Sequence, residues 1–267
     1  MFFRELPPSP PLAPYVQLIW CLELDTAAEF GPPERVAPDG ILELVLHYRE
    51  PFTVGFAGEA SSPQPRSSVV SQTRRYLEMQ PTGRSGLIAV RFRPWGAHHF
   101  LSLPVSELTD RVVAAEDLWG RGVGELEERL AAADHPGARV RLVESFLLSR
   151  LRNEGHPRVE GLVRTVWKYR GQVGVGALAR EVGLSERTLQ RRFGTALGMR
   201  PKGYARLARF LHACSVLRRW NGGRLADVGH DCGYYDQAHF IADFKAFSGL
   251  TPGQFATSTG VSFLELE

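Results

Sequence analysis

A short basic and polar segment carries side chains suited to hydrogen-bonding the edges of DNA bases. Arg187, Gln190 and Arg191 recur at intervals of three and four residues, so on an α-helix they share one face. Leu189 and Phe193 would then lie on the opposite, core-facing side. Arginine pairs with O6 and N7 of guanine, and glutamine with N6 and N7 of adenine, in the major groove. The spacing predicts base readout, each contact contributing about 1–3 kcal/mol of discrimination.

The start of this helix adds to the same surface. Ser185 precedes the first helical residue and is expected to be its N-cap. The unpaired backbone donors at such a helix end favour a nearby phosphate. Thr188, in the first turn, joins the predicted DNA-contacting set.

The same arrangement occurs twice, in residues 175–201 and 225–252. Each copy has a short helix, a glycine turn, a longer helix with apolar residues on one side and a closing Gly-x-x-Pro. Glycine permits the tight turn, small residues let the two helices approach, and the second helix presents its outer face to the major groove. The repeat therefore predicts two helix-turn-helix units.

The second copy is predicted to contact DNA more weakly. Asp236 is its expected N-cap, and the candidate contacts are Tyr235, Gln237, His239 and Lys245. Asp243 places an acidic residue in the second helix of this unit, the reading helix that would enter the major groove, and is expected to weaken its groove-facing surface. This unit is therefore predicted to position the protein more than to specify the sequence.

The segment between the two units is a predicted linker helix with Tyr204, Leu207, Leu211 and Val216 as packing residues. About 17–19 residues at 1.5 Å each span roughly 26–29 Å, a little less than the ~34 Å of one DNA turn. Both reading helices are then expected to enter successive major grooves on one face of the duplex.

Charge is distributed unevenly along the 267 residues. Residues 1–155 hold 16 Lys/Arg and 20 Asp/Glu, a formal charge of −4, whereas residues 156–267 hold 16 and 9, a formal charge of +7. A basic half joined to an acidic half is typical of a polyanion-binding domain attached to another module. The polar segment 153–157 ends in His-Pro, so the predicted domains are residues 1–154 and 155–267.

The N-terminal half is predicted to be mainly β-structure. Residues 15–100 form short runs of β-branched and aromatic side chains broken by Pro, Gly and Ser, as in an antiparallel barrel or sandwich. Segment 41–48 also fits a short helix by length, and the prolines of residues 7–14 predict an extended arm. Helical spacing follows in 103–110, 124–134 and 137–151; the last two predict a hairpin whose apolar stripe suits core packing or a dimer face.

Two sets of sequence strings resemble a known family. LSERTLQRRF, GMRPKGYARLARF, CGYYDQAHF and GLTPGQF resemble the DNA-binding domain of the AraC/XylS regulators, over residues 158–256. VAPDGILELVLHY and AVRFRPWGAHHFLSLPVSELTD resemble a ligand-sensing domain from one branch of that family. The resemblance implies an α+β two-domain fold: a cupin-like β-barrel with a helical hairpin, then an all-α domain of two helix-turn-helix units joined by a linker helix.

This chain departs from the family pattern at two positions. The family usually carries Arg where this chain has Ala242, which further weakens the predicted second reader. It usually carries Ser or Thr at the place of Arg200, so the N-cap of the linker helix is expected to be missing.

Charged and aromatic residues of the N-terminal half are candidates for binding an effector. Buried charges need partners, so such residues pair with one another or touch a ligand. Aromatic residues in strands either line a cavity or form ordinary core. The candidate effector set is Trp20, Asp39, Glu43, Arg91, Phe92, Arg93 and Trp95.

Other classes of protein have little support in the residues. Cys21, Cys214 and Cys232 are far apart, which favours reduced thiols in a cytosolic protein. His98 and His99 could ligate a metal, but neighbouring side chains are expected to point apart, and no metal or cofactor is predicted. No G-x-S-x-G or H-E-x-x-H motif occurs, so no catalytic residue and no enzyme is predicted. No signal sequence or apolar run long enough to span a bilayer occurs either, so no membrane partner is predicted.

These observations predict a cytoplasmic bacterial transcription regulator. Its expected partners are double-stranded promoter DNA and an unidentified small-molecule effector, with RNA polymerase and a second copy of the chain as further candidates. Two alternatives stay open: a metal-dependent cupin-type enzyme fused to a DNA-binding domain, and a ligand-independent regulator whose N-terminal domain only dimerises.

Overall fold

A computed structural model describes residues 1–29, 31–152, 157–258 and 261–262. Strands dominate the N-terminal part and helices the C-terminal part, so the α+β two-domain organisation expected from the sequence is confirmed. The predicted domain boundary at residues 154 and 155 lies outside the described residues. No described helix is both long and apolar enough to cross a bilayer.

The strands form two sheets. In chain order they are β1 (Phe2–Leu6), β2 (Val16–Glu23), β3 (Glu34–Val36), β4 (Glu43–His47), β5 (Phe52–Phe56), β6 (Ser62–Pro63), β7 (Ser67–Val70), β8 (Leu77–Pro81), β9 (Gly86–Phe92), β10 (Val112–Ala114) and β11 (Val261–Ser262). The first sheet has the order β1-β2-β9-β4-β7-β10, and the second has the order β11-β3-β8-β5-β6. Neighbouring strands are antiparallel except β11 and β3.

The central strand β9 is buried along its whole length because both faces of the first sheet are covered. One face meets the second sheet: Ala89 and Val45 pack in one cluster with Phe52 and Met79 of that sheet. The other face packs against helices. Segment 41–48, for which a short helix was an alternative, contains β4.

Three helices cover the outer face of the first sheet: α1 (Ala115–Trp119), α2 (Gly122–Ala132) and α3 (Pro136–Leu148). α2 and α3 are the predicted hairpin, and their apolar stripe is buried in the core of this domain, which accounts for it without a partner. Helical spacing was misleading in residues 103–110, where only a single 3-10 turn forms at Val105–Glu107, before β10. The N-terminal stretch up to residue 14, expected to be an extended arm, is extended only in part: residues 2–6 pair with β2 as an edge strand, and residues 10–15 form turns.

The C-terminal domain is built from helices. They are α4 (Pro157–Lys168), α5 (Val175–Glu181), α6 (Glu186–Leu197), α7 (Pro201–Arg218), α8 (Leu225–Asp231), α9 (Gln237–Ser248) and α10 (Pro252–Thr257). The pairs α5/α6 and α8/α9 are the two predicted helix-turn-helix units. α7 is the predicted linker and has 18 residues, about 27 Å at 1.5 Å per residue.

Close approach of α8 to α9 depends on Gly229, and its replacement should destabilise the domain. A Cβ at Gly229 would lie 2.8 Å from Cδ1 of Phe240, whose ring is fully buried. We expect Gly229→Ala to lower the free energy of unfolding by about 1–3 kcal/mol, because the overpacked ring has nowhere to move. Denaturant unfolding measures this. Gly161→Ala, in α4 with open space around it, is the matched control and should raise stability by about 0.5–1 kcal/mol; equal stability of the two variants would contradict the close-contact argument.

Candidate nucleic-acid interface

The first reading helix, α6, begins at a side-chain cap. Ser185 has extended backbone angles, and its Oγ accepts a hydrogen bond from the backbone N–H of Thr188 at 3.2 Å. The hydroxyl groups of the two residues are 2.9 Å apart. The predicted N-cap is therefore present, and it fixes the end of the helix at which unpaired backbone N–H groups would favour a phosphate.

The two faces of α6 separate as the spacing predicted. Leu189 and Phe193 are fully buried in the core of the C-terminal domain. Arg187, Gln190 and Arg191 are exposed. This helix therefore presents one guanidinium pair and one amide to solvent on a face that its own core does not use.

Left-handed glycines begin and end the reading helices. Gly183 and Gly233, with φ of +64° and +81°, make the turns before α6 and α9. Gly198 and Gly249, with φ of +72° and +73°, end them. An L side chain rarely adopts this conformation, which explains glycine at each repeat position.

The second reading helix, α9, also begins at a side-chain cap, but its outer face is less suited to reading bases. Oδ1 of Asp236 accepts from the backbone N–H of His239 at 2.7 Å, so the predicted N-cap is present. Tyr235 is 91% exposed, and Gln237 and Lys245 are exposed as well. Each of these remains a predicted DNA contact.

Asp243 does not weaken the groove-facing surface, contrary to expectation. It is buried, and its Oδ1 accepts from Nε of Arg206, on the linker helix α7, at 2.6 Å. His239 lies beside this ion pair, with Nε2 4.0 Å from the same oxygen and its ring 5.4 Å from that of Tyr234. Asp243 therefore ties α9 to the linker, and His239, an exposed residue beside that link, remains a predicted DNA contact.

The N-terminal domain contacts the C-terminal ends of both reading helices. Thr109 Oγ1 donates to the carbonyl oxygen of Gly198 at 2.8 Å, and a Cβ at Gly198 would also meet Val105. At the equivalent Gly249, a Cβ would clash with the ring of Tyr76. No sequence pattern pointed to these contacts, because they join segments distant in the chain.

Three of the candidate effector residues form one buried ion cluster. Arg91, with 1% of its side chain exposed, donates from Nη1 to Glu43 at 2.9 Å and from Nη2 to Asp39 at 2.5 Å. Trp20 lies on the same interior face. Burial raises the pKa of the Glu43 carboxyl above its ordinary value, and the nearby Arg91 charge offsets this only in part. Opposite charges in low dielectric hold this cluster together.

The other candidate effector residues lie elsewhere. Phe92 follows Arg91 in β9 and faces the opposite side of the sheet, in the core under the helices. Arg93 donates to the carbonyl oxygen of Ala13, and Trp95 donates to that of Pro14. The Trp95 ring also lies 5.2 Å from the guanidinium of Arg164, in α4. The predicted set is thus split among the sheet interior, the helix-covered core and the boundary between domains.

Sequence reasoning missed a second buried polar cluster near the interior of the sheets. His47 Nε2 is 2.9 Å from Oε1 of Gln64. His47 Nδ1, Gln64 Nε2 and Ser68 Oγ are buried without a hydrogen-bond partner. Burial lowers the pKa of His47, so this ring is neutral at pH 7. Unsatisfied buried polar atoms of this kind are suited to hydrogen bonds with a bound water or ligand.

Among the described residues, no group of three or more His, Cys, Asp and Glu could hold a metal ion. The rings of His98 and His99 lie 4.0 Å apart in a 3-10 turn, so the expectation that they point apart was wrong. The three cysteines are buried free thiols. Burial raises the pKa of Cys21 and of Cys232 to about 11, which leaves both unreactive.

Two family matches divide the chain along the same lines as the structure. Residues 178–258 match a family described as a helix-turn-helix domain, and this range includes both reading helices. Residues 4–114 match a domain of unknown function, DUF6597.

The curated relatives are regulatory proteins of a sugar operon. The arabinose operon regulatory proteins of Escherichia coli (strain K12) and Salmonella typhimurium (strain LT2) are each 29% identical to this chain over 175 residues, which is 61% of its length. The chain spans about half the length of these curated relatives, 54% and 56% respectively.

Solved structures also align with the chain. ToxT from Vibrio cholerae has a TM-score of 0.48 at 7% identity, covering 96% of this chain and 98% of that one. The C-terminal domain of AraT, a response regulator from Geobacillus stearothermophilus, has a TM-score of 0.37 at 19% identity, covering 42% and 94%.

Proposed function

We propose that this chain is a sequence-specific DNA-binding transcription regulator of the AraC/XylS type, because its C-terminal domain matches a helix-turn-helix family and its curated relatives are arabinose operon regulatory proteins. The observation that carries the proposal is the exposed trio Arg187, Gln190 and Arg191 on a capped helix whose other face is fully used by the core. Arginine and glutamine at this spacing match base edges in the major groove. The second unit, joined to the first by the 18-residue helix α7, supplies backbone contacts and register.

Salt dependence of DNA binding tests this function. The full chain should select a discrete set of fragments from genomic DNA, because the first unit reads bases. Its affinity should fall steeply between about 50 and 200 mM salt, by about 10³-fold if it neutralises around six phosphates, since counterions are released on binding. Fluorescence anisotropy on a selected duplex measures this. Failure to select fragments, or affinity that does not change with salt, would contradict the function.

We propose in addition that the N-terminal domain binds a small-molecule effector between its two sheets. The unpartnered buried atoms of His47, Gln64 and Ser68 support this, as does the charged cluster around Arg91 on the same interior side. A ligand there would carry hydrogen-bonding groups, because an apolar one would leave these atoms unpaired. Gly40, which follows Asp39 of the ion cluster, lies against Tyr204 and Leu207 of α7, the helix that joins the two helix-turn-helix units.

The remaining partners follow from the function. A promoter-binding regulator works in the bacterial cytoplasm, and RNA polymerase is a further proposed partner. A second copy of the chain is another proposed partner. Such a dimer would use a surface other than the apolar stripe of α2 and α3, because that stripe is already buried in the monomer. Sedimentation of the full chain with and without its selected duplex tests the dimer.

A further inference from the structure

A cleft of about 740 Å³ lies beside the first reading helix, between the two domains. One wall comes from the N-terminal domain, through Arg74, Ser106 and Thr109. The other comes from the C-terminal domain, through α6, α7 and α9. Gln190 and Arg191, the proposed base readers, line it directly. Whatever occupies the groove-reading face of α6 therefore also meets a wall built by the N-terminal domain.

Four arginines give this cleft a positive charge. Arg74 pairs with Asp110, and Arg206 pairs with Asp243, so two of the four are balanced by carboxylates. Arg191 and Arg200 are exposed and have no ion-pair partner within the part of the chain that the structure describes. The cleft thus carries about two uncompensated positive charges, which favours an anion in it.

Arg200 lines the cleft at a position where the other repeat uses a cap. In the second copy, the equivalent Thr251 caps the following helix through a capping box with Gln254. In the first copy, Arg200 makes no capping hydrogen bond, and α7 begins with Pro201 alone. Arginine at this position therefore lacks the side-chain cap found in the second copy and adds a positive charge to the cleft.

The N-terminal wall is held firmly against α6. The backbone N–H of Asp110 donates to the carbonyl oxygen of Gln72 at 3.0 Å, and the backbone N–H of Arg74 donates to Asp110 Oδ1 at 2.7 Å. Thr109, in the same segment, is bonded to Gly198 at the end of α6. These bonds link the backbone of Arg74, through Asp110 and Thr109, to the end of the reading helix.

We infer that this cleft receives a phosphate-bearing strand of the bound duplex, and that Arg74 of the N-terminal domain contacts its backbone. The inference rests on the proposed function. The major groove is only about 12 Å wide, so a strand that borders the groove entered by α6 passes within side-chain reach of the cleft walls. Asp110 engages Nε and Nη2 of Arg74, which leaves Nη1 as a donor for a phosphate oxygen.

Two substitutions of opposite sign test the contact on the full chain. Arg74→Ala should weaken binding about threefold to tenfold, equally on a selected and a scrambled duplex, and should reduce the salt slope by about one. Asp110→Asn should strengthen binding and increase the slope, because it frees the Arg74 charge, and Asn tolerates the φ of +59° at this position. The matched control is Arg84→Ala: Arg84 is 64% exposed and paired with Asp25, as Arg74 is 72% exposed and paired with Asp110.

The outcomes separate this inference from the function on which it rests. If the unmodified chain binds its selected duplex but Arg74→Ala behaves as Arg84→Ala does, the cleft contact is wrong and the function stands. Tighter binding by Arg74→Ala would mean that the wall obstructs DNA, which also overturns the inference. Inorganic pyrophosphate provides the second arm: if it raises the melting temperature through Arg74 while DNA affinity is independent of Arg74, the cleft holds a free phosphate compound and not the duplex.

Discussion

Arg91→Ala is expected to lower the free energy of unfolding by about 3–5 kcal/mol, the range for removing one partner from a buried ion cluster. Within the part of the chain that the structure describes, Arg91 is the only cation that contacts Asp39 and Glu43. Its removal leaves two mostly buried carboxylates without their cation. Chemical denaturation at pH 7, followed by circular dichroism, measures the loss.

The stability lost in Arg91→Ala should depend on pH, because the two carboxylates of the cluster take up protons. Burial already raises the pKa of Glu43, and removal of Arg91 raises it further. A group whose pKa is raised on folding contributes stability at low pH that is lost as pH rises through its folded value. The deficit of Arg91→Ala should therefore be smaller near pH 5 than near pH 8. A deficit that grows on acidification would contradict this assignment.

Two further variants separate a structural cluster from a ligand site. Arg35→Ala removes a half-exposed arginine paired with Glu78 in the same domain and should cost less than about 1 kcal/mol. Glu43→Gln keeps the shape of the side chain and relieves its desolvation. If the sheet interior binds an effector, a metabolite that raises the melting temperature of the unmodified chain should lose this effect in Glu43→Gln and keep it in Arg35→Ala.

Local patterns were sufficient to predict the helix-turn-helix units. Apolar residues at helical spacing assigned the buried face of α6, and Ser185 and Asp236 marked the helix starts because short polar side chains satisfy backbone donors there. These features involve residues within one or two turns of each other. The strand β9 was equally accessible, since a run of β-branched and aromatic residues signals a strand without reference to distant partners, whereas the short apolar segment 41–48, which contains β4, also fitted a helix.

Two errors at the candidate sites have different physical causes. Arg91 and Phe92 were assigned to one effector site, although successive residues of a strand face opposite sides of a sheet; alternation alone could have separated them. Asp243 was assigned to the outer face of α9 because its ion-pair partner, Arg206, lies in another helix, and a pairing between distant segments leaves no local pattern in the sequence. The contact of Thr109 with Gly198 was beyond prediction for the same reason, since packing between domains has no local signature.

Arg191→Ala should weaken binding to the selected duplex by about 1–3 kcal/mol, about fivefold to 150-fold, and should relax the preference at one or two base pairs. The side chain is exposed on the outer face of α6, and Leu189 and Phe193 hold that helix in place from behind. The proposed bidentate contact with guanine would be lost with the guanidinium. Anisotropy titrations on duplexes with each base pair substituted in turn measure both the affinity and the position of the lost preference.

Variants in both units show whether the first one dominates. Arg192→Ala, on the same helix but about 100° further around it, is the matched control and should leave the base preference intact. Gln237→Ala should weaken binding less than Arg191→Ala and change the preference little, since α9 presents Ala242 where a second strong reader would need a longer side chain. His239→Ala, which removes an exposed residue beside the Arg206–Asp243 link, should likewise weaken binding less than Arg191→Ala. If Gln237→Ala abolished the preference and Arg191→Ala left it unchanged, α9 would be the dominant reader, because a base contact that carries specificity cannot be removed without changing which base is preferred.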